Sequence, residues 1–248
     1  STAYEGGVLT LDRTALGTLY GEKTLVATFE KKTGDTLEKI VTVNIPVLLV
    51  TKYITEKDHL VNLKNYAVKL NDNTYGGYFV QTRDIDVSGS RIGMGYYDGD
   101  LRDYFTGTYD GGGHIISNAK QETNNGMFAW VNAGTTVKNI VFTGAVLDGN
   151  SGFVVTDAPK GVTIENIAVY GRIASGGANW SPSAMILGKG NGATVRNCMV
   201  VLSDWNVSGD NCAGMIVGNQ VSSTIENCIA VNLKPGATEA DYAIPAIG

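Results

Sequence analysis

The sequence predicts an all-β chain whose larger part is a parallel β-solenoid, and three observations lead there. The first is composition. The chain has 248 residues, with 32 Gly against 5 Pro, 43% apolar and 17% charged residues. That describes a folded, turn-rich chain poor in helix formers, long enough for one large domain, or one with a small companion, and a sizeable core. The second is a repeat. "GMFAWVNAGTTVKNIVF" from Gly126, "GFVVTDAPKGVTIENIAV" from Gly152, "AMILGKGNGATVRNCMV" from Ala184 and "GMIVGNQVSSTIENCIAV" from Gly214 each open with a small residue and an apolar run. Each then reaches an asparagine 13 or 14 positions later: Asn139, Asn166, Asn197 and Asn227. The third is the period. Those asparagines lie 27, 31 and 30 positions apart, too short for a propeller blade and without helical spacing, but suited to one solenoid coil per unit.

The elements follow in chain order. "TLVATFE" and "LEKIVTVNIPVLLV" flank the turn "KKTGD" and predict a β-hairpin of alternating strands, with Pro46 marking an edge or bulge. Residues 1–52 are read as a partial β-sandwich lacking about half its strands, and residues 53–248 as the solenoid. An open solenoid end exposes edge groups and bare core. "YITEKDHLVNLKN" supplies cover: Thr55 with Asp58 fits a capping-box-like start, and Ile54, Leu60, Val61 and Leu63 give an apolar face to a short capping helix over residues 55–64.

Within a coil, Val137, Ile140 and Phe142 all face inward only if the chain bends at Asn139. Asparagine tolerates the left-handed conformation such a bend needs, and stacked amides hydrogen-bond from coil to coil. Asn118, in "FTGTYDGGGHIISNAK", is read as an earlier corner. The residues before the corners, Lys138, Glu165, Arg196 and Glu226, form a solvated, charge-compensated row. Cys198 and Cys228 follow corners where Ile140 and Ile167 stand elsewhere, so they are expected as stacked, inward, reduced thiols. Strand spacing of about 4.8 Å lies within disulfide range, but parallel side-chain vectors disfavour a bond, and Cys212 in a loop makes the total odd. "AIPAIG" from Ala243 repeats "AGMIVG" from Ala213 one period later, which predicts that the chain stops within a coil.

Three segments, "DIDVSG", "FTGTYDGGGHIISN" and "AGMIVG…STIENC", resemble the GLUG-type repeats of right-handed, pectin-lyase-like β-helices. The resemblance covers about Tyr53 to Gly248, although Gly126-Met-Phe-Ala departs from the usual Gly-Leu-aliphatic-Gly. Such helices occur in modular, adhesin-like bacterial surface proteins beside immunoglobulin-like modules, whose closing strands residues 1–52 resemble. The resemblance implies a right-handed helix, an extracellular or cell-surface location, and a binding or structural role. A surface glycan or a host or bacterial surface protein would be the partner, and a virion fibre is a further setting for such a module.

Charge and motif content narrow the function. A net charge of −5 without a Lys/Arg cluster argues against a nucleic-acid surface. The longest apolar run, Ile45 to Val50, is far short of the roughly 20 residues that span a bilayer, so no membrane insertion is expected. Glycoside hydrolysis needs two carboxylates roughly 5–9.5 Å apart. Asp148 and Asp204 do not match in position after their corners, and Arg196 separates Glu165 from Glu226. His59 and His114 are the only histidines, and no Ser/His/Asp set is available. No catalytic residue is assigned, and a polysaccharide lyase or glycoside hydrolase stands as the alternative. Asp84, Asp86, Asp98, Asp100, Asp103 and Asp110 concentrate oxygen ligands, but no EF-hand or nonapeptide signature occurs. No metal ligand is assigned, and calcium is the one cofactor left open. The ligand-binding candidates are aromatics in polar segments: Trp180, Trp205, Tyr96, Tyr97 and Tyr104. They would stack on sugars or anchor a protein partner, or else fold back over the solenoid.

Overall fold

The computed structural model describes residues 2–5, 8–11, 16–94, 97–98, 101–176, 182–207 and 213–234. Strands β1 (Thr2–Glu5) and β2 (Val8–Leu11) pair antiparallel. β3 (Gly21–Thr33) and β4 (Thr36–Leu49) form a long two-stranded hairpin that turns at Gly34 (φ 63°). Alternation decides its faces. Leu25 opposes Ile45, Ala27 opposes Val43 and Phe29 opposes Val41, so one face is apolar, and a bulge follows Phe29. Pro46 opposes Thr24 within the ladder.

β5 (Lys52–Ile54) joins the solenoid by pairing parallel with Thr74–Gln81. Two short helices follow, α1 (Lys57–Val61) and α2 (Leu63–Tyr66), with Leu60 and Leu63 buried in the main core. The start differs from the capping box read in the sequence. The N-cap position is Glu56 and carries no side-chain cap bond. Thr55 instead meets His59, whose Nδ1 lies 3.2 Å from the Thr55 amide and 3.3 Å from its hydroxyl. Asp58 is taken by Asn62 Nδ2 and the Tyr66 hydroxyl, both at 2.7 Å.

The rest is a parallel β-solenoid of about five turns, with these two short helices the only described ones of their size. The best-formed coil runs through Phe128–Val131, turns at Gly134 (φ 85°), and continues as Thr136–Asp148 with left-handed bends at Asn139 (φ 59°) and Gly144 (φ 61°). The next coil repeats this path. Val155–Pro159 lies parallel to Phe128–Val131, and Thr163–Ser175 parallel to Thr136–Asp148. Leu187–Asn191 and Val217–Val221 extend the first ladder, while Thr194–Arg196 and Thr224–Glu226 extend the second.

In-register stacking turns each inward position into a continuous apolar row. Tyr109, Val137, Ile164, Val195 and Ile225 form one, and Phe142, Val169, Val200 and Ala230 another. Phe105 and Phe128 stack with ring centroids 4.6 Å apart, and Phe142 meets Phe153 edge-on at 5.1 Å. Each fully buried member contributes about 1.5–3 kcal/mol of transfer free energy. Among the described residues no helix is long and apolar enough to cross a membrane.

Candidate functional site

The asparagine corners build the principal surface feature. Asn139, Asn166, Asn197 and Asn227 have φ between 53° and 59°, the conformation the repeat requires of them. Their amides form a chain. Asn166 Nδ2 donates to Asn139 Oδ1 at 3.0 Å, Asn197 Nδ2 to Asn166 Oδ1 at 3.2 Å, and Asn227 Nδ2 to Asn197 Oδ1 at 3.3 Å. Asn139 Nδ2 in turn donates to Asp110 Oδ1 at 2.9 Å. Gly111 occupies the rung of Asn139 in the preceding coil, where a Cβ would fall 2.4 Å from the Asn139 carbonyl oxygen. The carboxylate that starts the ladder therefore comes from the neighbouring position, Asp110.

Asn118 is also left-handed (φ 59°) but stands at a different bend. Ser117 pairs with Thr143, which places Asn118 beside Gly144 and not above Asn139. Its Nδ2 donates to Asp86 Oδ1 at 3.1 Å, and a Cβ on Gly144 would fall 2.5 Å from its Oδ1. Each coil of this region thus has two corners, with Asn118 heading a short second ladder.

Beside the longer ladder runs an open groove of about 530 Å3. One wall is the amide row of Asn139, Asn166 and Asn197, and one end is the turn from Asp110 to Gly113. Its floor includes Val141, Ala168 and Met199, which pair in register on three successive coils and face outward. Each of the three groove amides, Asn139, Asn166 and Asn197, spends one N–H and one lone pair on the ladder, leaving one donor and one acceptor for a ligand. The groove therefore presents, at intervals of about 4.8 Å, a hydrogen-bonding amide next to an aliphatic side chain. Asp110 is the only titratable side chain among its lining residues. It is already engaged, accepting from the Gly112 amide at 3.0 Å and lying 3.6 Å from Lys138 Nζ. The charged row beside the ladder is neutralised locally, as Arg196 holds Glu165 through Nη2 at 2.6 Å and Nε at 2.7 Å.

The aromatic candidates are dispersed. Tyr104 is half-buried, in register between Thr74 and Trp130. Trp205 ends the strand Met199–Trp205, packs partly against the core, and carries Lys234 Nζ 4.4 Å above its ring; its buried indole N–H has no hydrogen-bond partner among the described residues. These two lie three coils apart. Tyr97 falls in the short strand Tyr97–Asp98 with its side chain outside the described residues, and Tyr96 and Trp180 lie outside them altogether.

The acidic candidates are likewise separated. Asp84 accepts from the Ile115 amide at 2.9 Å and meets His114 Nδ1 at 3.3 Å; the amide first and the histidine second hold its carboxyl below the usual range. Asp86 accepts from the Ser88 amide at 2.8 Å and from Asn118, which lower it in the same way. Asp103 pairs with Lys64, and Asp110 serves the ladder. The side chain of Asp98 and all of Asp100 lie outside the described residues. Among the described residues no three His, Cys, Asp or Glu side chains are placed to hold a metal ion.

Sequence reasoning named Asp86 and Asp110 only as oxygen ligands, and missed their place at the ends of the two ladders and the groove floor. The available signals were an aspartate one repeat length before Lys138, and an apolar residue two places after each corner where the chain faces out. Comparison with protein-family models, with curated proteins and with solved structures gave no match to this chain.

Proposed function

We propose that this chain is a non-catalytic binding module of a secreted or surface-exposed protein, and that its corner groove holds an extended neutral glycan. The observation that carries this reading is the pairing of a free amide with an aliphatic floor residue on each of three coils. A sugar ring has an apolar face and a rim of hydroxyls, so Val141, Ala168 and Met199 would take the faces while Asn139, Asn166 and Asn197 take hydroxyls. The compensated charges around the groove favour a neutral chain over an acidic one.

The finer architecture belongs to the same reading. Parallel strands joined by crossovers are right-handed in nearly all proteins, which supports a right-handed helix. The GLUG-type resemblance supports a modular, adhesin-like surface protein, with β3 and β4 belonging to an immunoglobulin-like unit and α1 and α2 covering the first coil. A protein partner is the other occupant such a surface would accept.

One observation favours an enzyme: Glu122 and Asp148 are in register on adjacent coils. Lys120 lies 3.8 Å from the first and 2.9 Å from the second. Hydrogen bonds from Lys120 and then Ser175 hold Asp148 below its usual range, whereas a general acid needs a raised one. Binding is therefore the better reading.

A glycan-array screen followed by titration of the best neutral oligosaccharide tests it. Met199→Arg and Ala168→Arg, both at outward positions, are expected to weaken binding at least tenfold (about 1.4 kcal/mol) without changing the unfolding midpoint. Unaltered affinity in both variants, or turnover of the glycan, would overturn the proposal.

A further inference from the structure

Cys198 and Cys228 hold the same position in successive coils, each directly after a corner asparagine, and the residues that follow them, Met199 and Ile229, pair in register. Cys198 is 1% exposed and Cys228 half-buried; neither is in a disulfide. In the two preceding coils this position is filled by Ile140 and Ile167, which pair and pack in the core. A second isoleucine pair would serve packing as well as two thiols do. What the thiols add is contact of another kind. Each sulfur sits against the carbonyl oxygen two residues before it, Cys198 at 3.2 Å from Arg196 and Cys228 at 3.3 Å from Glu226. The Ile229 amide donates to the Cys198 carbonyl at 2.9 Å, which fixes the two cysteines on adjacent rungs.

Strand geometry alone sets the two Cα atoms about 4.8 Å apart, inside the 4.4–6.8 Å range of disulfides, but with side chains running parallel. Each thiol leans on the carbonyl two residues before it in the same way, so the two sulfurs start side by side on adjacent rungs, and a rotation about the Cα–Cβ bond turns one toward the other. We propose that Cys198 and Cys228 are a dithiol that closes into an intercoil disulfide by exchange with a low-molecular-weight disulfide.

The chemistry balances in two displacements. The Cys228 thiolate, its proton released to solvent, attacks one sulfur of the external disulfide RSSR. A Cys228–S–S–R bond forms and the S–S bond of RSSR breaks, expelling RS⁻. Cys198 then gives up its proton and its thiolate attacks the Cys228 sulfur, forming the 198–228 bond and expelling the second RS⁻. Both expelled thiolates pick up protons as RSH. Two protein thiols are oxidised and one external disulfide is reduced to two thiols. The order follows from access, because solvent reaches the half-buried Cys228 and not Cys198. The influence of each thiol on the other acts in the same direction: Cys228, with burial, holds the proton on Cys198, and Cys198 draws Cys228 below the usual thiol value.

The test treats the full chain with oxidised glutathione, quenches with acid, alkylates free thiols and maps peptides by mass spectrometry. The expected product is a 198–228 crosslink with Cys212 left alkylated or glutathionylated, and an unfolding midpoint that rises with oxidation and falls back on reduction. Cys198→Ser is expected to trap glutathione on Cys228, whereas Cys228→Ser leaves Cys198 unmodified in the folded protein. Alkylation of both thiols after oxidation, a crosslink formed only with Cys212, or glutathione held on Cys228 in the unsubstituted chain would overturn the proposal. The crosslink in the unsubstituted chain is read independently of whether either variant folds.

Discussion

An L-residue at left-handed φ carries a steric cost of about 1–2 kcal/mol, and each long-ladder corner places that cost on asparagine. The amide offsets it with a bond to the next coil worth about 0.5–1.5 kcal/mol net. The two contributions separate by substitution. Asn166→Gly keeps the bend and loses the ladder bond, so it is expected to cost about 0.5–1.5 kcal/mol. Asn166→Val loses the bond and strains the bend with a branched side chain, and is expected to cost about 2–3 kcal/mol; urea unfolding of both variants checks the ranking. Asp84 supplies a pH dependence. Its folded value is depressed by the Ile115 amide and then His114. The stabilisation is therefore fully present above the ordinary aspartate value of about 3.9 and lost as pH falls through the lower folded value. Thermal unfolding followed from pH 6 downward should fall less steeply for Asp84→Asn than for the unsubstituted chain. The corner asparagines were legible because a bend was the only way to turn Val137, Ile140 and Phe142 inward together. Asp110 was not, because the rung it serves carries Gly111, and no asparagine marks the place.

Along one element the same alternation separates positions by consequence. In the strand Thr163–Ser175, Ile164 is fully buried while Glu165 points outward to Arg196. Ile164→Ala is expected to cost about 2–5 kcal/mol, and Glu165→Gln no more than about 1 kcal/mol because the ion pair is at the surface; chemical denaturation reads both. The hairpin of β3 and β4 is the opposite case. It has the patterned apolar face of a sheet, yet Phe29, Val41, Val43 and Ile45 on that face are all substantially exposed. Two strands alone are marginally stable in water. Amides of β3 and β4 should exchange with solvent at least tenfold faster than those of Thr136–Asp148, as measured by hydrogen exchange. The alternating pattern and the turn residues made these strands legible. The helical start was not, since His59 competes for Thr55 and a capping pattern in sequence does not show which partner wins.

At the level of the whole molecule, the strand pairings of the solenoid run between neighbouring coils, so its stability is close to a sum of nearest-neighbour terms. The repeat intervals were enough to read that plan, because a fixed period can only stack. What they could not show was which outward positions gather. Tyr104 and Trp205 are both aromatic but sit on different coils, while Val141, Ala168 and Met199 share a groove because their repeats place them on matching rungs. The period carries that second fact too, once outward positions are aligned as carefully as inward ones.

The amide ladder also has a direction. An ionised aspartate can only accept, so Asn139 must turn its NH2 toward Asp110. That choice leaves the Asn139 oxygen facing Asn166, and the same orientation passes to Asn197 and Asn227. Five side chains therefore behave as one polarised wire: the amide dipoles add, their positive ends lead to the carboxylate, and the Asn227 oxygen at the other end receives no donor among the described residues. The short ladder from Asn118 to Asp86 points the same way. Any group packed against Asn227 along this axis must bring a hydrogen-bond donor. A serine or a second asparagine would extend the wire and a lysine would end it, whereas a carboxylate there would face lone pairs and be repelled.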